Sequence, residues 1–306
     1  MRPLLPFALA LLLALPAAAQ QAADPEAEFA VARPAFAAGA GPRLVIDGGH
    51  HNFHKVDGRY APFAAVVRAD GFQVAGSEGR LTAEGLAGVK VLVIANALHA
   101  SNVGGDNWVL PNPSAFSREE IAAVKAWVEA GGGLLLIADH MPFAGAAQEL
   151  AQAFGFSFSN GFVQREAKGP DLFTPESGLK ADIVTAGRDA SETVTSIRTF
   201  TGSAFTAPAG ARPLIVLSRG YVSKEPRVAW AFDKDTTVID AEGRLQAAVM
   251  PYGRGRVAVF GEAAMFSAQL SGPEKTPIGF NAPDAVDNRK LLLNVVRWLA
   301  GVLPAA

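Results

Sequence analysis

Cysteine is absent from all 306 residues of the chain. The absence excludes disulfide bonds, thiolate nucleophiles, Cys-ligated zinc and iron–sulfur clusters. It also excludes a lipoprotein, because lipidation at a signal-peptide site requires a cysteine. The fold must therefore be stabilised by packing alone, and a hydrophobic content of 50% is enough for a sizeable core.

A strong charge of either sign is also lacking. The formal net charge is −2 and the sequence pI is about 6.2. No basic block and no interleaving of aromatic and basic residues is present, so nucleic acid is not expected as a partner. Beyond the N-terminus, no apolar run is long enough to span a membrane, and the mature protein is expected to be soluble.

The N-terminus has the layout of a secretory signal peptide. Arg2 supplies a positive charge, residues 4–15 form an apolar run, and three alanines at 17–19 offer a cleavage site. An uncleaved membrane anchor is the alternative, but the run is short for one. We therefore expect a signal peptide at 1–19, a flexible leader at 20–41, a single domain at 42–306, and a periplasmic or secreted protein.

Buried-strand patterns alternate with helical patterns in the first half of the domain. Continuous apolar runs at 42–47, 89–95 and 134–138 are typical of parallel strands that are covered on both faces. Helical spacing follows each run, and Ser117 with Glu120 predicts a capping box at the start of one helix. The alternation predicts an α/β fold with a mainly parallel sheet, a flavodoxin-like three-layer sandwich.

Two further regions complete the predicted domain. Residues 97–115 form a long polar loop that contains Trp108, and loops of this length are usually functional or disordered. Strand-like runs at 213–217, 228–232, 245–250 and 256–260 predict extra β-hairpins, with turns at 240–243 and 252–255. An amphipathic helix at 288–300 closes the chain.

All five histidines lie at or just beyond the C-terminal ends of predicted strands. Such ends share one edge of a parallel sheet, where ligands bind. The residues expected at this edge are Asp47, His50, His51, His54, His99, Asp139, His140 and Glu262.

Imidazole and carboxylate groups at one edge are compatible with three kinds of site. They could bind Zn, Mn or Fe and activate a water molecule. Without a metal, a histidine beside an aspartate can act as a general base. The third alternative is a structural or ligand-binding role. The metal ligands predicted for the first alternative are Asp47, His50, His51 and His54; the predicted catalytic residues are Asp139, His140 and Glu262.

The run EEIAAVKAWVEAGGGLLLIADHMPFAGAAQELAQAFG at 119–155 resembles the nucleophile-elbow region of class I glutamine amidotransferase-like proteins. The runs GRGRVAVFGEAAMFSAQ and DNRKLLLNVVRWLAG are similar to segments of an exported, uncharacterised bacterial branch of that superfamily, related in fold to ThuA-like (trehalose utilisation) proteins. The resemblance implies the fold and places the site at the turn of residues 138–140. It implies no amidotransferase activity, because the cysteine nucleophile is missing.

Two functions remain open at this point. One is a hydrolase-like enzyme with a His/Asp-rich site, with or without a divalent metal, that acts on a small polar substrate; the resemblance to ThuA-like proteins implies a carbohydrate derivative. The other is a non-catalytic domain that binds a ligand at the same edge or serves in an envelope assembly.

Overall fold

The computed structural model of the chain describes residues 21–104, 107–167 and 169–305. The predicted signal peptide at 1–19 lies outside these residues. Within them, no helix has the length and apolar character needed to cross a membrane.

The described residues contain five α-helices and seventeen strands. The helices are α1 (Ala61–Ala69), α2 (Arg118–Glu129), α3 (Phe143–Gln152), α4 (Ile183–Ala186) and α5 (Asn288–Ala300). The strands are β1 (Gln21–Ala23), β2 (Arg43–Asp47), β3 (Gln73–Ser77), β4 (Val91–Ala95), β5 (Gly133–Ile137), β6 (Ser157–Phe158), β7 (Phe162–Arg165), β8 (Asp171–Phe173), β9 (Ile197–Thr199), β10 (Phe205–Thr206), β11 (Arg212–Val216), β12 (Tyr221–Glu225), β13 (Thr237–Asp240), β14 (Leu245–Tyr252), β15 (Gly255–Phe260), β16 (Ala268–Ser271) and β17 (Thr276–Gly279).

The main sheet has nine strands in the order β3-β2-β4-β5-β15-β14-β10-β6, and β11 also pairs with β14. The first five strands are parallel. The remaining pairs of the sheet are antiparallel. A two-residue turn joins β14 to β15, and so short a connection allows only antiparallel pairing between these two strands. The α/β class is thus confirmed, whereas the predicted, mainly parallel sheet is a mixed one.

The parallel strands are apolar throughout because both of their faces are covered. Leu135 and Ile137 of β5 belong to a core that includes residues of α1 and α5. Leu134 and Leu136 belong to a second core with residues of α2 and α3. Successive side chains of a strand point to opposite faces, so a strand between two helical layers needs an apolar residue at every position.

Residues 21–41 differ from the flexible leader predicted by their composition. Strand β1 pairs with β16, and Phe29, Val31 and Phe36 pack against the core. The backbone N–H of Ala35 donates to Asp70. The apolar side chains in this Ala- and Pro-rich segment bury enough surface to hold it on the domain.

The predicted strand at 228–232 is also corrected. Val228 forms only an isolated bridge with Val109, and Trp230 has a left-handed backbone conformation (φ 67°) that a regular strand does not allow. The segment instead connects β12 to β13 beside the long loop.

A buried ion pair links α5 to the end of α1. The guanidinium of Arg297 donates to both carboxylate oxygens of Asp70, over 2.9 and 2.6 Å. Its Nη1 atom lies 3.0 Å from Glu192. Both Arg297 and Asp70 are buried, so water cannot hydrate either charge in place of its partner.

Replacement of this arginine tests the ion pair. We expect Arg297→Met to lower the free energy of unfolding by about 3–5 kcal/mol, because it leaves the carboxylate of Asp70 buried without its partner. Urea denaturation measures the change. Lys125→Ala, which removes the exposed pair with Glu129, is the control and should change stability by less than about 1 kcal/mol. Equal effects of the two variants would contradict the role given to Arg297.

Candidate functional site

The C-terminal ends of the parallel strands bring four polar residues to one edge of the main sheet. Asp47 ends β2, Asn96 follows β4, Asp139 follows β5 by two residues, and Glu262 follows β15 by two. All four are buried. A polar edge above an apolar sheet is where doubly wound proteins bind ligands.

Asn96 connects two of these strand ends. Its Oδ1 atom accepts the backbone N–H of Asp139 over 2.9 Å, and its Nδ2 lies 3.3 Å from Nδ1 of His54. The backbone of Asn96 is left-handed (φ 59°), a conformation that asparagine adopts more readily than most residues. The side chain of Asn96 thereby holds the backbone of Asp139 in place.

Asp139 and Glu262 are two buried acids whose charges interact. Burial, and then the charge of Asp139, raise the pKa of Glu262 well above its usual value, even though the backbone amides of Met265 and Ala264 donate to its carboxyl group. Burial and the same two acids also raise the pKa of Tyr60. Two carboxyl groups in a buried site cannot both ionise freely, so the pair favours retention of a proton on Glu262.

His140 is held in one tautomer inside an aromatic surround. Its backbone N–H donates to Asp139 over 2.8 Å, and its Nδ1 lies 2.7 Å from the carbonyl oxygen of Met141. A carbonyl only accepts, so Nδ1 carries the hydrogen and Nε2 of the neutral ring has the free lone pair. The imidazole stacks on Phe162 at 4.5 Å, and Trp230 packs edge-on at 4.7 Å.

His50 bridges two carboxylates on the other side of this edge. Its Nδ1 atom lies 2.8 Å from Oδ2 of Asp47, and its Nε2 lies 3.2 Å from Oε1 of Glu120. Burial lowers the pKa of His50, but hydrogen bonds and charges of the two acids outweigh it, and the pKa is raised. Both ring nitrogens are thus engaged by carboxylates on opposite sides of the ring.

Of the four predicted metal ligands, Asp47 and His50 are in contact, whereas His51 and His54 have different surroundings. His54 is fully buried between Asn96 and Gln269, and its pKa is lowered well below the usual value by burial and then by the charge of Arg59. His51 is exposed. Across the described ranges, no three His, Cys, Asp or Glu side chains are grouped so that they could hold a metal ion.

His99 has a local role. Its Nδ1 atom accepts the backbone N–H of Ser101 and caps a short 3-10 helix at 100–102. This contact gives the ring a partner within its own loop.

Three residues of this edge were not singled out from the sequence as site residues. Asn52 donates to Asp47 and accepts the backbone N–H of Ala95, and Asn96 and Glu120 have the contacts described above. Asn96 directly follows the clearest buried strand, and a polar residue at that position could have been predicted as a site residue from the sequence. Glu120 was recognised only as part of the capping box, which the structure confirms, and nothing local reveals its contact with His50.

Two chain segments cover His140 from outside. The backbone N–H of Ala229 donates to the carbonyl oxygen of Trp108 over 2.8 Å, and that of Leu110 donates to Arg227 over 3.0 Å. We call residues 107–112 and 226–232 together the cover. Its aromatic side chains reach the site from above, and His140 beneath them is only 9% exposed.

Two surface cavities lie away from this cover. One of about 270 Å³ lies between residues 27–28 and 280–289. The other, of about 290 Å³, is lined by Arg80, Leu81 and Glu120 on the outer side of the contact with His50. Neither of these two cavities touches Asp139 or His140, and the candidate site is therefore defined by the polar edge of the sheet.

Comparisons with known proteins support the fold and leave the function open. No protein-family model and no curated protein matches the chain. Among solved structures, the N-terminal domain of mmIFT52 superposes with a TM-score of 0.60 at 14% identity, over 84% of this chain and 97% of that one. This likeness shows a shared α/β fold.

Two further solved structures are less similar. A protein described as ThuA-like from Bacteroides uniformis has a TM-score of 0.47 at 13% identity, over 92% of this chain and 97% of that one. PurLQS from Thermotoga maritima has a TM-score of 0.44 at 12% identity, over 85% and 99%. Likenesses at this level do not bear on activity.

The hydrogen bonds of Glu120 predict an acid-dependent loss of stability. Burial would raise the pKa of Glu120, but the amide of Ser117, His50 and the amide of Leu81 lower it from 4.5 to about 2. The ionised group therefore contributes about 3 kcal/mol above pH 4.5, and this contribution is lost as the pH falls toward 2.

Urea unfolding of wild type and Glu120→Gln between pH 2 and 7 tests this. We expect the difference in unfolding free energy to shrink as the pH falls below 4.5. Glu129→Gln, at the exposed end of the same helix, is the control. A difference that does not change with pH would show that Glu120 is not held as an ion.

Proposed function

We propose that the protein is an exported hydrolase-like enzyme whose reactive groups are Asp139 and His140, backed by Glu262, and whose substrate is a small polar molecule. The observation that supports the proposal best is the placement of two buried acids and one histidine just beyond the ends of β5 and β15. Groups of this kind at the C-terminal edge of a parallel sheet are a candidate acid–base site.

In this proposal each group has a distinct task. The free Nε2 of His140 accepts a proton from an attacking water molecule, because the Nδ1 hydrogen is directed at Met141. Asp139 orients the water or a substrate hydroxyl. Glu262 is too buried to touch the substrate, and its retained proton limits the negative charge beside Asp139.

We also propose that the domain is a flavodoxin-like sandwich of the class I glutamine amidotransferase-like superfamily. Numbered among themselves along the chain, the parallel strands run 2-1-3-4-5, the flavodoxin-like order. The turn of residues 138–140 stands where the superfamily carries its cysteine. Export to the periplasm rests on the sequence of residues 1–19, and a carbohydrate-derived substrate rests on the resemblance to ThuA-like proteins.

A metal at the four predicted ligands would require two of the histidines to change partners. His50 would have to leave Asp47 or Glu120 to bind a cation, and His54 would have to leave Asn96 or Gln269. The non-catalytic alternative remains a ligand-binding domain that uses the same edge, with its aromatic cover as the contact surface.

A substrate screen with variants tests the enzyme proposal. We expect the wild-type protein to hydrolyse a member of a panel of small esters, amides and glycosides. Asp139→Asn and His140→Gln should each lower kcat/KM about 100-fold or more, because a general acid–base group contributes that much. His99→Ala, which alters only a local cap, should retain full activity. Full activity in both site variants would remove the proposal.

Metal analysis of protein purified without a histidine tag tests the role of His50. We expect no stoichiometric Zn, Mn or Fe, because carboxylates already engage both ring nitrogens. His50→Ala should lower the free energy of unfolding by about 1–3 kcal/mol, since the two buried acids lose a partner. A stoichiometric metal that is lost in both His50→Ala and His54→Ala would instead establish the predicted metal site.

A further inference from the structure

Trp230 has features that packing alone does not explain. It is 48% exposed, although tryptophan is normally well buried on average. Its backbone is left-handed (φ 67°), which is rare and costly for a bulky residue. A conformation that is unfavourable locally and leaves a large aromatic ring half in solvent indicates a constraint from elsewhere in the structure.

That constraint is the position of the ring over the candidate site. The centroid of Trp230 lies 4.7 Å from that of His140 and 4.4 Å from that of Phe162. Phe162 stacks on one face of the imidazole, and Trp230 packs against the imidazole edge-on, at an interplanar angle of 69°. The ring centroids of Phe143 and Trp108 lie farther from that of His140, at 5.7 and 6.2 Å.

Backbone hydrogen bonds hold the segment that carries Trp230 at its base, and its aromatic rings pack on His140 and Phe162. The hydrogen bonds of Ala229 and Leu110 tie the two halves of the cover together. Beyond them, Trp230 and Phe232 are both partly exposed and lie on a connection between strands. Connections of this kind move more readily than the strands that they join.

We propose that Trp230 is the residue that controls access to His140, and that its ring contacts a flat, apolar face of the ligand once the ring has moved aside. The inference rests on the proposed function in so far as the ligand is a substrate. A ligand that reaches His140 passes this ring, because Trp230 is the most exposed of the four aromatic residues around the imidazole. Trp230 thus selects for ligands that combine a planar apolar face with polar groups for Asp139.

Chemical modification of histidines measures this access without any substrate. Diethyl pyrocarbonate acylates an unprotonated, accessible imidazole nitrogen, and mass spectrometry assigns the modified residue. The chain supplies its own standards, since His51 is exposed and His54 is fully buried. The test variant is Trp230→Asn, because asparagine tolerates the left-handed backbone and therefore preserves the connection.

We expect His140 to react at least about tenfold faster in Trp230→Asn than in wild type, with His51 unchanged and His54 unreactive. Phe232→Ala is the matched control. Phe232 lies on the same connection and contacts Phe162, and its removal should leave the rate at His140 within about twofold of wild type.

Three results would overturn the inference: an unchanged rate at His140 in Trp230→Asn, an equal acceleration in Phe232→Ala, or reaction of His54, which would indicate general opening of the domain. For any hydrolysed substrate, Trp230→Asn should raise KM more than it lowers kcat, because the ring binds ground and transition states alike. The modification result stands even if no substrate is found, so failure of the access role and failure of the proposed activity are distinguishable.

Discussion

Burial of the parallel strands on both faces is the constraint on which the rest of the structure depends. Every residue of β4 and β5 is buried, with alternate side chains in the two cores. Polar groups on these strands are therefore excluded until the strands end. The chain can place carboxylates and imidazoles only where the sheet stops, and five parallel strands stop at the same edge. The site is thus a consequence of the sheet.

The sequence predicts the part of the fold that this constraint controls. The apolar runs, the helix between them with its capping box, and the hairpin turn at 252–255 are all present, because each depends on neighbours in the chain. Of the antiparallel strands, β11 and β14 match predicted strand-like runs, whereas β6 and β10 are not predicted, because they have two residues each and tertiary contacts decide their pairing. The packing of residues 21–41 was missed for the same reason: its partners are distant in sequence.

The arrangement at the edge shows where sequence reasoning ends. Strand ends can be predicted, so the location of Asp47, His50, Asp139 and His140 along one edge follows from the pattern. The direction in which each ring points cannot be predicted, because it depends on hydrogen bonds to residues that are distant in sequence. Glu120 lies 70 positions from His50 and turns the ring toward a helix, while Asn96 and Gln269 hold His54 inside the domain.

His50 and His140 differ in their electrostatic surroundings. Around His50, two carboxylates stabilise a charged imidazole. Both ring nitrogens of His50 therefore already have partners. Among the described residues, a hydrogen bond engages Nδ1 alone of the two ring nitrogens of His140, and aromatic side chains surround the ring. A histidine with one uncommitted nitrogen next to an aspartate has capacity left for chemistry, whereas one held from both sides does not. The difference lies in what surrounds the two imidazoles, because both occupy the same edge of the same sheet.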